Sequence, residues 1–265
     1  MNAATLDLLV FNTQHASPDR ARRQAAWLAA EPEADVLVLT EVGAGPGGDV
    51  LINELTALGY PYWHALPTAG RDYRTVLASR HARLEPVDPC IGFLPHRGPA
   101  ALLRPDGQVP VGLWGLYVPS RGSRERRNQD KRAFQQAVVE ALPGLLKRFR
   151  DARVVVAGDL NVVEPDHIPA HRVFGRWEYD FYEAFGQAGL TDVFSHLLPH
   201  DRGHSWFGRT GNGFRFDHAF TSTPERALAR AYDHAPRDLR LSDHACLRLR
   251  LDLTARPLSS KGIPA

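Results

Sequence analysis

Short apolar runs that stop on a polar side chain recur along this chain, and their length and β-branched content predict buried strands. The first is LDLLVFN (Leu6 to Asn12), and the second is ADVLVLTEV, ending in Thr40 and Glu41. Between them SPDRARRQAAWLAA predicts a helix, with Ser17 as N-cap, Pro18 at the first helical position and Ala, Trp and Leu at helical spacing. The glycines of GAGPGGDVLINELTALGY predict a loop, with Asp49 capping a short helix that stops at Gly59. YWHAL, TVLAS, ARLEPV, AALLR and VGLWGLYV follow as short β-type runs between Gly, Pro and charged breaks, the pattern of a mostly antiparallel meander.

In the second half Phe134, Val138, Leu142 and Leu145 or Leu146 recur at helical spacing from Ser123 to about Arg150, and Pro143 with Gly144 is expected to kink or end that helix. The strand VVVAGDLNVV comes next, then the helix WEYDFYEAFGQAGL with Phe181, Phe185 and Ala188 inward, then the strands HSWFG, FRFDHAFTS and ACLRLRLDL. Helices interleaved with antiparallel strands in both halves suggest an α/β (α+β) fold of two packed, mostly antiparallel sheets flanked by helices. Residues 1–254 are expected to form one domain and 255–265 a flexible tail.

Composition changes this picture little. With 265 residues, 43% apolar and 23% charged, the chain suits an ordinary globular domain, and no linker or repeat divides it. The N-terminus lacks a basic start before an apolar run, and no window nears the roughly 18 apolar residues of a membrane span, so a cytoplasmic protein off the membrane is expected. Cys90 and Cys246 stand outside any CxxC pattern and suggest neither a disulfide framework nor a zinc site. Net charge is only +2, but RGSRERRNQDKR (Arg121 to Arg132) holds six cationic side chains against two acidic ones. A solvated face at a helix start is the ordinary account of such a run.

The strand ends carry the chemistry: Asn12, Glu41, Tyr117, Asp159 with Asn161, Asp217 with His218, and Asp243 with His244. Singly, Asn and Asp at such places are turn formers, and GDLN alone supports only an Asx turn. Residues i and i+2 of an extended strand share a side, which would put Asp159 and Asn161 together. His218, next to Asp217, should point to the opposite face and be structural. His15 and His204 carry no positional argument, and a surface or core role is expected for each.

Taken in order, VFNTQ, LVLTEV, TVLASR, LYVPS, VVVAGDLNV, GLTDVF, HSWFG, GFRFDHAF and LSDHACL resemble the endonuclease/exonuclease/phosphatase superfamily across Leu6 to Leu253. Within it the chain looks most like the exonuclease III branch of apurinic/apyrimidinic endonucleases, because Tyr117 stands where other branches carry a His. The resemblance implies a four-layer α/β/β/α sandwich and Mg²⁺-dependent hydrolysis of a phosphodiester, with Mn²⁺ able to substitute. It implies Glu41 as leading metal ligand with Asn12 and Asp243 near the same ion, Asp159 as base for the attacking water, and the Asn161 amide as a donor to a phosphate oxygen. His244 would contact the scissile phosphate, Asp217 would orient its ring, and Tyr117 would hydrogen-bond the phosphate or a leaving oxygen.

By the same resemblance Arg71, Arg74, Arg80 and the Arg121 run border the active-site face and would neutralise backbone phosphates. Tyr73, Trp206 and Phe214 would stack on a base or fill an abasic gap, although for Trp206 core packing is the stronger expectation. The chain departs from the branch at Ser120 after YVP, at Thr40 before Glu41, at TQHAS after Asn12, and at Arg74 and Thr75 where Gly is usual. The expected partner is nucleic acid, DNA in the first place, acted on by a monomer away from membranes. The alternative is a phosphatase or phosphodiesterase of the same fold acting on a small molecule, a lipid headgroup or a phosphotyrosyl-DNA adduct.

Overall fold

The apolar runs become the central strands of two sheets. The computed structural model describes residues 5–30, 34–68, 70, 72–122, 125–168, 170–201 and 203–254. The expected tail (255–265), Arg71 and Arg124 lie outside the described residues. The first half holds β1 (Thr5–Asn12), α1 (Pro18–Ala29), β2 (Val36–Gly43), α2 (Pro46–Glu54), β3 (Tyr62–His64), β4 (Tyr73–Ser79), β5 (Leu84–Val87), β6 (Ala100–Leu103), β7 (Val111–Tyr117) and α3 (Glu125–Arg148). The second holds β8 (Arg153–Asp159), α4 (Arg176–Gln187), β9 (Thr191–Asp192), α5 (Val193–Leu197), β10 (Trp206–Phe207), β11 (Gly213–Phe214), β12 (Asp217–Thr221), β13 (Ala227–Asp233), α6 (Ala235–Asp238) and β14 (Cys246–Asp252).

One sheet runs β13-β14-β1-β2-β4-β3 and the other β5-β6-β7-β8-β12-β9, while β10 and β11 form a small separate ribbon. Each large sheet has one parallel pair, β1 with β2 and β7 with β8. The remaining pairs are antiparallel. A parallel pair cannot close through a hairpin, and α1 and α3 supply the two crossovers.

Alternation along the central strands sorts the layers. Leu6, Leu8 and Val10 of β1 meet Leu113 of β7 and Val155 and Ala157 of β8 between the sheets. Leu9 and Phe11 turn outward under Ala21, Ala25 and Leu28 of α1. Trp114, Val154 and Val156 cover the far face of the second sheet beneath Phe134 and Val138 of α3 and Phe181 and Phe185 of α4. The order helix, sheet, sheet, helix is the expected sandwich, and strands buried on both faces explain why their sequences read as continuous apolar runs.

Several local expectations need correction. The predicted meander is divided: β3 and β4 pair in the first sheet, and β5, β6 and β7 in the second. Pro143 does not end α3, because it sits on the exposed side of the helix, where the carbonyl it leaves without an N–H partner faces water. The short helix α2 begins at Pro46 behind Gly45, with Asp49 in its first turn rather than at its cap. FRFDHAFTS is broken between β11 and β12, where the backbone N–H groups of Phe216 and Asp217 both turn to Ser205 Oγ, at 3.0 and 3.1 Å. Strand β13 has no counterpart among the predicted elements; its run ALARAYD is poor in β-branched residues and occupies a sheet edge.

Candidate active site

Parallel neighbours end together, so β1 and β2 deliver Asn12 and Glu41 to one rim of the sandwich while β7 and β8 deliver Tyr117 and Asp159. Antiparallel β12 starts there, with Asp217 opposite Asp159. β14 also starts there, one residue beyond Asp243 and His244. The Ser242 hydroxyl donates to the Asn12 carbonyl at 2.7 Å and accepts the His244 N–H at 3.1 Å, which fixes this last loop to β1. A cleft of about 380 Å³ opens at this rim, bounded by Glu41, Tyr117, Asp159, Asn161, Asp243 and His244.

Asp159 is buried at its floor. Its Oδ2 accepts from Asn12 Nδ2 at 2.8 Å and from Asn161 Nδ2 at 3.1 Å, and its Oδ1 accepts the Asn161 backbone N–H at 2.8 Å. The Asn161 geometry corrects the expectation of an extended strand: β8 stops at Asp159, Asn161 has φ +49°, and an Asx turn brings the two side chains together. Gly158 permits this exit, since a Cβ there would lie 1.9 Å from the Leu116 carbonyl oxygen. Burial first, and then the charge of Asp217, push the Asp159 carboxyl up to about 8.

His244 Nδ1 and Asp217 Oδ2 are hydrogen-bonded at 2.7 Å, and both side chains are buried. Burial alone would lower the imidazole pKa; the charge and hydrogen bond of Asp217, with Asp159 and Asp243 behind them, overcome it and raise the ring to about 10. The other Asp217 oxygen, Oδ1, is buried with no hydrogen-bond partner among the described residues. Asp159, Asp217 and His244 each bring one potential ligand atom within 4.8 Å of the others. Tyr117 is buried, and desolvation followed by the charge of Glu41 keeps its phenol protonated well above the usual range. The Arg97 guanidinium lies 4.7 Å from the centre of its ring.

Glu41 has φ +56° at a register shift between β2 and β4, a bulge that turns its side chain toward the rim. Its Oε1 is 2.9 Å from His15 Nδ1. His15, expected at the surface or in the core, is exposed and stands against this cleft carboxylate, a contact whose only sequence signal is TQHAS in place of the Gly-containing turn usual after Asn12. An oxygen-rich rim with a partly buried carboxylate at Glu41 and an orphaned buried carboxylate oxygen at Asp217 fits a hard divalent cation. Asn12 and Asp243 have other contacts: Asn12 holds Asp159 and its Oδ1 accepts the Gln14 N–H at 2.8 Å, while exposed Asp243 accepts from Trp206 Nε1 at 2.9 Å.

The remaining expected contacts divide. Trp206 and Phe214 both line the cleft and stand 5.4 Å apart, Trp206 stacking also on Phe216, so they form one half-buried aromatic wall. Tyr73 packs edge-on to Tyr117 at 6.3 Å, next to the cleft. Arg121 lines the cleft but is paired with buried Glu178 at 2.7 Å. Arg74 points to Asp49 at 3.3 Å and is not among the cleft-lining residues. Arg80 is at the opposite end, beside Ala34, because β4 runs antiparallel to β2 and its last residue pairs with Val36.

The basic run also differs from a solvated face. Lys131 is fully buried, bonded to Glu178 and, at 2.8 Å, to the Asn161 carbonyl. Nothing in a charge-rich sequence run distinguishes this lysine from its exposed neighbours. His218 is buried between Asp192 at 3.2 Å and the Val162 carbonyl at 2.8 Å, away from the cleft as expected. Among the described residues no helix is long and apolar enough to cross a membrane.

The Endonuclease/Exonuclease/phosphatase family model matches residues 9–244. No curated protein matches the sequence. Among solved structures, a variant of the 3′ phosphatase NExo from Neisseria bound to product DNA hairpin is similar over 93% of this chain and 99% of that one, with 22% identity and a TM-score of 0.72. An AP endonuclease from Archaeoglobus fulgidus is similar over 94% and 100%, at 21% identity and TM-score 0.71. The AP endonuclease LMAP from Leishmania major is similar over 97% and 90%, at 19% identity and TM-score 0.75. At these identities the likeness is one of fold.

Proposed function

Because the chain belongs to the endonuclease/exonuclease/phosphatase family, and so is a phosphoester hydrolase, we propose that it is a divalent-cation-dependent nuclease of the exonuclease III type that cleaves nucleic-acid phosphodiesters, DNA first. The observation that carries this reading is the buried arrangement of Asp159, held by Asn12 and Asn161, beside the Asp217–His244 pair at an open cleft. The DNA-bound and AP endonuclease structures of similar fold support the choice of substrate.

In this account water's oxygen bonds phosphorus, the bond to one bridging oxygen breaks, and the water proton passes to Asp159. The Asn12 amide and the Asn161 N–H hold that carboxylate in place for the transfer. His244, kept cationic by Asp217, donates to a non-bridging phosphate oxygen as charge builds there. The neutral Tyr117 phenol donates to the departing oxygen, and Asn161 exchanges its bond to Asp159 for one to the phosphate. A cation such as Mg²⁺ or Mn²⁺ bound at Glu41, near Asp243, would spread the phosphate charge. Trp206, Phe214 and Tyr73 would supply stacking surfaces for a base or sugar.

One observation favours the second reading, a same-fold phosphoesterase acting on a smaller phosphorylated molecule. Arg121, Lys131 and Arg74, expected from sequence to meet backbone phosphates, are engaged with Glu178 and Asp49. A panel of labelled abasic duplex, 3′-recessed duplex, single-stranded DNA and RNA, each with and without Mg²⁺, tests the first reading. Cation-dependent cleavage that weakens steeply with salt is the expected result. Failure to cut any member with either Mg²⁺ or Mn²⁺, alongside turnover of a small phosphodiester, selects the second.

A further inference from the structure

Glu41 is joined to His15 twice. Besides the side-chain contact of 2.9 Å, the His15 backbone N–H donates to the Glu41 carbonyl at 3.0 Å, which ties the loop after β1 to the end of β2. Gln14, His15 and Glu41 all lie in the left-handed region, with φ of +51°, +37° and +56°. Three non-glycine residues are held there in two adjoining segments, and the outcome is that an imidazole nitrogen and a carboxylate oxygen face one another. The Tyr73 ring packs 5.2 Å from the imidazole and orients it, and about half of the His15 side chain, 53%, stays open to solvent.

Two ligand atoms on adjacent positions of an octahedral ion, each about 2.1 Å from it, stand about 3.0 Å apart. That is the separation of His15 Nδ1 and Glu41 Oε1. The same distance serves a hydrogen bond when a proton occupies the place between them. Of the two other ligands expected from sequence, Asn12 uses its amide nitrogen on Asp159 and its oxygen on the Gln14 N–H, and one oxygen of Asp243 accepts from Trp206.

The geometry points to His15 as a second protein ligand, beside Glu41, to the cation of the cleft, and so to a site that prefers a first-row transition ion over Mg²⁺. This rests on the cation-assisted reading above and extends it to which ion is held. Mg²⁺ takes oxygen ligands and keeps its waters, whereas an imidazole nitrogen adds affinity for the softer transition ions.

Mn²⁺ titrated into the full chain and read by electron spin echo envelope modulation tests this without reference to turnover. The wild-type protein is expected to show ¹⁴N coupling to bound Mn²⁺, and His15→Ala to lose it. The same variant should bind Mn²⁺ about tenfold more weakly while its Mg²⁺ affinity changes less than about twofold. His15→Gln, which keeps a hydrogen-bonding group near Glu41 but has no imidazole, should behave like His15→Ala. Mn²⁺ bound without ¹⁴N coupling in the wild type, or coupling that survives both His15 variants, overturns the proposal and leaves cation-assisted cleavage standing. Mn²⁺ affinity unchanged in Glu41→Gln overturns both.

Discussion

His244 Nδ1 lies 2.7 Å from Asp217 Oδ2 within the buried floor of the cleft, and the second oxygen of that aspartate meets no donor among the described residues. One oxygen of the carboxylate is thus committed to that imidazole. Asp217→Asn should return the ring pKa from about 10 toward its ordinary value and reduce kcat by about 10²- to 10⁴-fold at neutral pH. Steady-state rates with an NMR titration of the His244 ring check both parts.

Asp159 must be ionised to take a proton, yet burial and then Asp217 raise its carboxyl to about 8. The acid limb of the rate profile should therefore lie above the usual carboxylate range, with kcat/KM rising about tenfold per pH unit along it. Raising the cation concentration should move that limb to lower pH, since a nearby positive charge favours the ionised form. Profiles of kcat/KM against pH at several Mg²⁺ concentrations check this.

Arg215 is buried behind the cleft, with Nε 3.0 Å from Glu164, one terminal nitrogen 3.1 Å from Asp192, and the other 3.1 Å from Ser195 Oγ. Arg215→Met preserves much of the volume but leaves two buried acids short of their cation. A loss of about 3–5 kcal/mol in folding stability is expected, measured by urea unfolding.

These cases separate what is legible in the sequence from what is not. The four layers follow from apolar strands and periodic helices, and the rim follows from polar residues at strand ends, because both are short-range patterns. Lys131 stands in a run that reads as a solvated face, and nothing in the sequence marks Glu178 or Arg215 as buried, since their burial depends on partners 47 and 51 residues away in the chain. His15 is illegible for a related reason: its partner Glu41 is 26 residues on, and only the bulge in β2 turns the two toward each other. Asp159 and Asn161 do come together, but through a different geometry from the one GDLN suggests, as a left-handed turn after a strand end cannot be told from continued strand in those four residues.

Glu164 gives the acid limit of stability. Burial alone would raise its pKa, but the His167 hydrogen bond and the Arg215 charge lower it from 4.5 to about 2. A depressed folded-state value means the stabilisation is fully present above about pH 4.5 and is lost as pH falls through about 2. Asp192, also lowered, with Arg215 and His218 outweighing burial, acts in the same direction. Urea midpoints measured across that interval should fall less steeply in Glu164→Gln than in the wild type.

The most direct test of the account is single-turnover cleavage of a 3′-recessed or abasic duplex by wild type and Asp159→Asn, with Mg²⁺ and after chelation. The expected result is cation-dependent cleavage by the wild type and a rate at least about 10²-fold lower in the variant, which still binds the duplex. Cleavage by Asp159→Asn at the wild-type rate would place the chemistry elsewhere in the molecule and contradict the account.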